Sequence, residues 1–420
     1  MTSGTALHAL VLVALAGCGA RSDLLAREAA EGEPAPLPRD AAPLPLDAGP
    51  DLAPPADAFV PARRCALEPI IGEPQTIMRE RTGFFDGPAT VARGGTFDLL
   101  ATFFPFDDLR TPLSYGSRFD DALGPAGSLA GGGNPSTTMR AASRGDRLGL
   151  CFRGLTSGRA QLTSFDGDTG EWTEALEGDQ CEDLAGSGGQ WLAAIRQLDG
   201  SVLGFVLDES GAVVRDPIPM GVSVDPWTSA TRVTATDRGF GWVEWPNRGR
   251  EIRVRRLDRA SREVQTFVME EPVFGSVPAI APWPFDPTAL AVAFHGPGGV
   301  QVVVVDPVRG ELLRTEPLAF SMGGDVTPAL VPVEDGLVVA MANYGDFDPT
   351  AGSVEITVVG SDGAPAPLFT IPTRRGWDLA RGGIDADTDG VTIVVHWAAA
   401  LEDGSGEPEP VTQALTFRCD

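Results

Sequence analysis

From about residue 65 the chain alternates short apolar runs with polar breaks, and no stretch keeps apolar residues at helical spacing. Seven runs recur: FDLLATFF (97–104), RLGLCF (147–152), QWLAAI (190–195), GFGWVEW (239–245), ALAVAFH (289–295), GLVVAMA (336–342) and GVTIVVHW (390–397). They begin 43 to 54 residues apart. Runs of about four to seven apolar or alternating residues, bounded by Gly, Asp and Pro, are strands rather than helices. A further strand follows several of them, as in VLGFVLDESG (202–211), EIRVRRLD (251–258), VQVVVVDPVRG (300–310) and VEITVVGSDG (354–363). Another precedes them, as in GPATVARGG (87–95), SVPAIAPW (276–283), DVTPALVP (325–332) and WDLARGGI (377–384). The fold class is all-β. Four strands per repeat at this period predict a β-propeller of seven four-stranded blades. Tandem β-sandwich domains are the alternative. Neither the Gly-His and Trp-Asp pairs of WD repeats nor a kelch signature is present.

The chain ends on VTQALTFRC, a third strand, so the last blade lacks a fourth of its own. The segment ALEPIIGEPQTIMRE after Cys65 is predicted to supply it and close the ring between the two termini. Four cysteines beyond residue 18 (Cys65, Cys151, Cys181 and Cys419) allow two disulfides in an exported chain. The strand order pairs Cys65 with Cys419 across the closure. It pairs Cys151, on the second strand of blade 2, with Cys181, where blade 3 begins. None of the spacings is a metal-ligand CxxC.

The amino terminus has a different pattern. ALHALVLVALAGC is an apolar run of signal-peptide length, too short to span a bilayer as a helix. It ends in Leu15-Ala16-Gly17-Cys18, which resembles a bacterial lipobox, and GCGARSDLL resembles the start of many lipoproteins from myxobacteria and their relatives. Residues 1–10 hold no Lys or Arg, where that pattern has a positive start. The resemblance implies a signal peptide over 1–17 and palmitate-type acylation of Cys18, which ties the chain to a membrane. Residues 18–64 are rich in Pro, Ala and Asp, cannot bury a core, and are expected to form a disordered tether. Residues 65–420 form the propeller domain. The resulting localisation is the cell envelope, as an outer-membrane lipoprotein.

Composition narrows the chemistry. A net charge of −26 argues against nucleic acid as a partner. All 32 basic residues are arginine, which excludes lysine Schiff-base chemistry and the P-loop. A monomer that requires no cofactor is expected.

Two acidic groups are candidate cation sites. DADTDG (385–390) places Asp385, Asp387 and Asp389 at the alternate positions with which calcium loops begin, followed by Gly390. Ile393 and His396 then occupy the ninth and twelfth positions, where a calcium loop has ligands. A hairpin turn between the first two strands of blade 7 is the plainer reading, and a weak Ca2+ site the alternative. The loops after the second strands of blades 6, 7 and 1 are also acidic. Their Asp107, Asp108, Asp346, Asp348, Glu402 and Asp403 are expected on one rim, where a cation would relieve their repulsion. In RGREIRVRRLDRASR (248–262), Arg253 and Arg255 are expected to face outward as an anion patch or as an edge protected by charge. SFDGDTGEW (164–172) has the composition of a sialidase Asp-box with the wrong spacing, and reads as a hairpin. The remaining histidines, His295 and His396, read as strand-end residues.

These features point to a lipid-anchored binding module for a protein or glycan ligand. The alternative is a carboxylate-dependent hydrolase or lyase acting on envelope or extracellular polysaccharide. Mass spectrometry of the unreduced protein is expected to recover Cys65 joined to Cys419; any other partner for Cys65 overturns the closure scheme.

Overall fold

The computed structural model describes residues 67–418 apart from 81–82, 107–111, 129–138, 155–156, 168, 223–230, 246–250, 271–277, 297–298, 319, 321–327, 335, 344–351, 362–364, 366–368, 374–382 and 403–407. Cys18, Cys65 and Cys419 lie outside the described residues.

Two short strands come first, β1 (Glu68–Pro69) and β2 (Gln75–Arg79). Blade 1 is β3 (Gly83–Arg93), β4 (Thr96–Pro105), β5 (Leu113–Phe119) and β6 (Pro125–Ser128). Blade 2 is β7 (Arg140–Arg144), β8 (Arg147–Arg153), β9 (Ala160–Asp166) and β10 (Thr169–Ala175). Blade 3 is β11 (Gln180–Ser187), β12 (Gln190–Arg196), β13 (Ser201–Leu207) and β14 (Ile218–Val222). Blade 4 is β15 (Thr231–Thr236), β16 (Gly239–Glu244), β17 (Glu251–Asp258) and β18 (Val264–Glu270). Blade 5 is β19 (Ala279–Pro282), β20 (Leu290–Gly296), β21 (Gly299–Asp306) and β22 (Glu311–Pro317). Blade 6 is β23 (Ala329–Val333), β24 (Gly336–Asn343), β25 (Gly352–Gly360) and β26 (Phe369–Thr373). Blade 7 is β27 (Ile384–Thr388), β28 (Thr392–Glu402) and β29 (Pro408–Arg418).

Each blade is an antiparallel meander. First strands touch in order from β3 through β7, β11, β15, β19 and β23 to β27, which touches β3 again. The chain is a seven-bladed β-propeller, and the described residues contain no helix. Both amino-terminal strands pair with β29: Glu68 stands opposite Arg418, and Gln75 opposite Ala414. The segment after Cys65 therefore supplies the missing outer strand of blade 7.

A blade packed between two others buries both faces, so its middle strands are apolar at every position rather than at alternate ones. β16 and β20 are buried along their whole length. Outer strands meet water, and β10 and β22 are mostly exposed. Where blades 2 and 3 meet, the fully buried Trp191 lies against Gly149 and Gly186. A Cβ at Gly149 would stand 2.7 Å from its ring, so a larger residue there would displace the indole. The Arg144 guanidinium lies 5.2 Å from the centre of the same ring.

One strand differs from expectation. Among the described residues the first strand of blade 7 is 384–388, so Asp385 and Asp387 belong to a strand and the turn begins only at Asp389; residues 377–382 of the expected strand lie outside the described residues. Acidic side chains made that strand look like a turn; their carboxylates are used inside the ring, as described below.

Cys151 of β8 is bonded to Cys181 of β11, with Cα atoms 5.9 Å apart and a sequence separation of 30. Closing a loop of that length is worth about 3.5 kcal/mol in the chain-entropy estimate. Replacing both cysteines by alanine is expected to cost about 2–4 kcal/mol, read from the denaturant midpoint of the non-reduced protein.

Candidate functional site

Strand direction sorts the two ends of the ring. All seven first strands start at one face, where β4, β24 and β28 also end; this is the loop face. The hairpin turns after the first strands lie at the other, the turn face. Between them the first strands surround a central channel of about 630 Å³, lined by residues from every blade.

Near the loop face, blades 2, 3 and 4 place Arg140, Asp183 and Arg232 at one level. Each stands four residues before the last paired residue of its strand, Arg144, Ser187 and Thr236 respectively. Arg140 and Arg232 approach blade 3 from opposite sides and reach the same atom: the Glu182 carbonyl accepts from Arg140 Nε at 2.9 Å and from Arg232 Nη1 at 3.5 Å. The Asp183 carboxylate lies 3.9 Å from Arg232 Nη1, and its Oδ2 accepts the Val233 N–H at 2.8 Å. The Glu182 side chain turns away to Arg196 of β12, 3.4 Å distant. Burial, and then the charge of Arg140, hold the Arg232 pKa below the ordinary guanidinium value, against the pull of Asp183, Glu182 and Asp385.

Blade 7 uses its acidic triplet in the same manner as Asp183. The Thr90 N–H donates to Asp385 Oδ2 at 2.7 Å, and the Ala92 N–H donates to Asp387 Oδ2 at 2.8 Å. Two carboxylates thus clip β27 to β3, across the junction that closes the ring. Asp389 serves the turn instead, where its Oδ1 accepts the N–H groups of Val391 and Thr392. The three side chains do not share a site. Among the described residues, no group of three or more His, Cys, Asp or Glu side chains is arranged to hold a metal ion.

Burial raises the Asp385 pKa to about 7, with the charges of Asp387 and Asp183 adding to it and the Thr90 N–H opposing. Burial likewise raises Asp387 to about 6. His396 is not a strand-end residue, because β28 runs on to Glu402 and buries the ring completely. Burial holds its pKa down at about 4.

Other expected residues fall elsewhere. Asp107, Asp108, Asp346, Asp348 and Asp403 lie outside the described residues; the backbone of Glu402 ends β28, opposite Pro408. Arg253 and Arg255 do not form an outward anion patch. They are half-buried beside Glu251 and Glu244 respectively, with Arg255 Nε 3.1 Å from Glu244 Oε1. SFDGDTGEW is the β9–β10 hairpin, and its Trp172 Nε1 donates to the Glu209 carbonyl of blade 3 at 2.8 Å.

Reading the sequence did not single out Arg140 or Arg232. A signal was available: RAASRGDRLG (140–149) and RVTATDRGFG (232–241) begin with arginine at equivalent places before their turns.

No family model matches the chain, and no curated protein matches it. Solved structures similar to it include hydrazine synthase of Kuenenia stuttgartiensis, at 14% identity and a TM-score of 0.49, covering 75% of this chain and 93% of that one. A chain of the mitotic checkpoint complex matches at 14% identity and a TM-score of 0.47, covering 90% and 99%. A subtype N11 neuraminidase-like protein of A/flat-faced bat/Peru/033/2010 (H18N11) matches at 10% identity and a TM-score of 0.45, covering 88% and 98%. The likeness carries no function. The fold rests on the strand pairing above.

The pKa shifts have opposite signs in stability. Asp385, at about 7 when folded against an ordinary 3.8, contributes stability that is full below about pH 4 and lost as pH rises through 7. His396, lowered from 6.5 to about 4, contributes stability that is full above about 6.5 and lost as pH falls through 4. Asp385→Asn keeps an oxygen for the Thr90 N–H and removes only the carboxylate's titration. Its thermal midpoint is expected to vary less than wild type between about pH 5 and 8, and to exceed wild type at the alkaline end. Parallel melts with an unchanged slope would contradict this.

Proposed function

We propose that this chain is a lipid-anchored binding module of the bacterial envelope that receives a protein or glycan ligand at the loop face of its propeller. The observation that carries this reading is the loop-face end of the channel, where Arg140, Asp183, Arg232 and Asp385 from four blades meet around one space. Ligand sites are largely preformed concavities in which a few placed polar or charged groups fix the ligand's orientation. Asp183 and Asp385 stand among these arginines, so the ligand would meet both charge signs. The Cys18 lipobox and the Pro/Ala/Asp-rich segment to residue 64 support a tethered module at the outer membrane. At about 3.1 Å per residue in polyproline-II conformation, such a tether reaches on the order of 100 Å.

Cys18→Ala is expected to move the protein from the membrane fraction to the soluble one. On a panel of envelope and extracellular polysaccharides, the immobilised chain is expected to retain at least one polymer and to cut none. Cleavage that disappears in Asp346→Asn or Asp107→Asn would replace the binding reading with a hydrolase or lyase.

A further inference from the structure

We infer that Asp385 and His396 act as one proton-sharing pair that latches blade 7 to blade 1, the carboxyl donating to the imidazole while its other oxygen holds the Thr90 amide. The two residues stand directly opposite each other in the β27–β28 pairing. Directly opposed residues of an antiparallel pair point to the same face, with Cβ atoms about 4.5–5.5 Å apart. That face is the one turned to blade 1, because Val394 and Ala398, two residues either side of His396, pack with Leu99 and Ala101 of β4. His396 is wholly buried, and neither ring nitrogen makes a normal hydrogen bond, although the Ala89 carbonyl of blade 1 is near enough to favour its charged form. A neutral imidazole has one nitrogen that donates and one that accepts, and burying either without a partner is costly. The Ala89 carbonyl suits the donor; the accepting nitrogen needs an O–H or N–H. Thr412 and Thr416 share the face but stand on the diagonals of His396, about 7–8 Å away by the pairing, and their hydroxyls do not reach it. Asp385 is nearer, and because its Oδ2 accepts the Thr90 N–H at 2.7 Å, Oδ1 is left to carry the proton.

The surroundings favour that proton. Asp387 on the same strand and Asp183 of blade 3 both oppose a negative charge on Asp385, while Arg232 of blade 4 acts the other way. β23 and β24, which pack against β27, contain no titratable side chain. β29 presents Thr412, Ala414 and Thr416 around His396. On β3 and β4, Arg93 and Asp98 pair with each other and turn to blade 2, where Arg93 donates to the Asp146 and Gly167 carbonyls. Asp86 stands opposite Thr102, whose hydroxyl accepts the Met139 N–H of blade 2. With Asp385 raised to about 7 and His396 held at about 4, the pair is neutral between those values and its proton sits on oxygen. Asp385 lines the channel, whereas His396 is sealed behind it. Parting the seam lets the carboxyl ionise and release its proton to channel water, so rising pH favours the parted form until the closed form ionises too, near 7. The latch is therefore tight in mild acid and loosens towards neutral pH.

Imidazole NMR of the full-length chain, labelled with nitrogen-15 at histidine, tests the pair. The sequence holds three histidines, and His396→Phe identifies the His396 signals by deleting them. The ring is expected to stay neutral above about pH 5, and its accepting nitrogen to shift in one step near pH 7, as the donor is lost. Asp385→Asn supplies a fixed N–H in place of the carboxyl proton, so the step should vanish. Hydrogen exchange at the Thr90 amide reads the latch itself. Corrected for intrinsic pH dependence, its protection should fall by about tenfold per pH unit as pH rises towards 7, and stay level in Asp385→Asn. Should Asp385→Asn fail to fold, His396→Phe still decides: without the imidazole acceptor, the Thr90 transition should move to lower pH. The pairing is overturned if the His396 shift is flat through pH 7, if its step survives Asp385→Asn, or if the ring gains its charge near the ordinary 6.5. It is equally overturned if Thr90 protection falls alike in wild type and Asp385→Asn, or if His396→Phe leaves the transition where it was.

Discussion

The junction between β27 and β3 is the contact on which the rest of the ring depends. Every blade carries two apolar faces and can cover neither alone, so an open arc of seven blades would leave one face bare at each end. Closure covers both at once. Blade 7 achieves it twice over: β1 and β2 complete its outer edge with residues from the beginning of the described chain, and Asp385 and Asp387 clip its inner edge to backbone amides of blade 1. These are contacts between residues 295 positions apart. Their loop-closure entropy is repaid only when the whole ring has assembled.

This junction buries polar side chains beside an apolar cluster that includes Phe97, Leu99 and Val394. Between blades 7 and 1, the enclosed residues include His396, Thr412, Thr416 and Thr90, with the two aspartates at the channel edge. Polar groups enclosed in this way tolerate few alternative partners, which fixes the register of the closing contact more sharply than interchangeable methyl groups would. The cost is a set of titrating groups with opposed preferences, and stability at the seam is highest where neither the carboxylates nor the imidazole is forced into its charged form.

How much of this was legible follows from where each strand sits. Second strands could be read directly, because burial on both faces leaves uninterrupted runs such as LAVAFH and LVVAMA. Outer strands such as GEWTEA and ELLRTE carry no such mark, since water covers them. The closing strand was legible because the last repeat was visibly one strand short. IDADT was misread: a strand whose carboxylates accept amide protons from another blade has the composition of a solvated turn. The Cys151–Cys181 bond followed from the strand order, whereas the Arg140, Asp183 and Arg232 level did not. Its members are spaced evenly in the ring but carry different charges, so apolar periodicity passes over them.

The blades are further joined by side chains that reach main-chain oxygens. Arg93 donates to the carbonyl of Asp146, Arg144 to Gly189, Arg259 to Gly188 and Arg314 to Gly360, while the Ser187 hydroxyl donates to Thr236. A carbonyl is offered by any amino acid, so the receiving turn is free to change its letters without letting go. Fasteners of that kind impose no vocabulary on the repeat. Seven copies can drift until only their spacing betrays a common plan, and a scaffold built on such joints can exchange the surfaces of its turns while its ring stays closed.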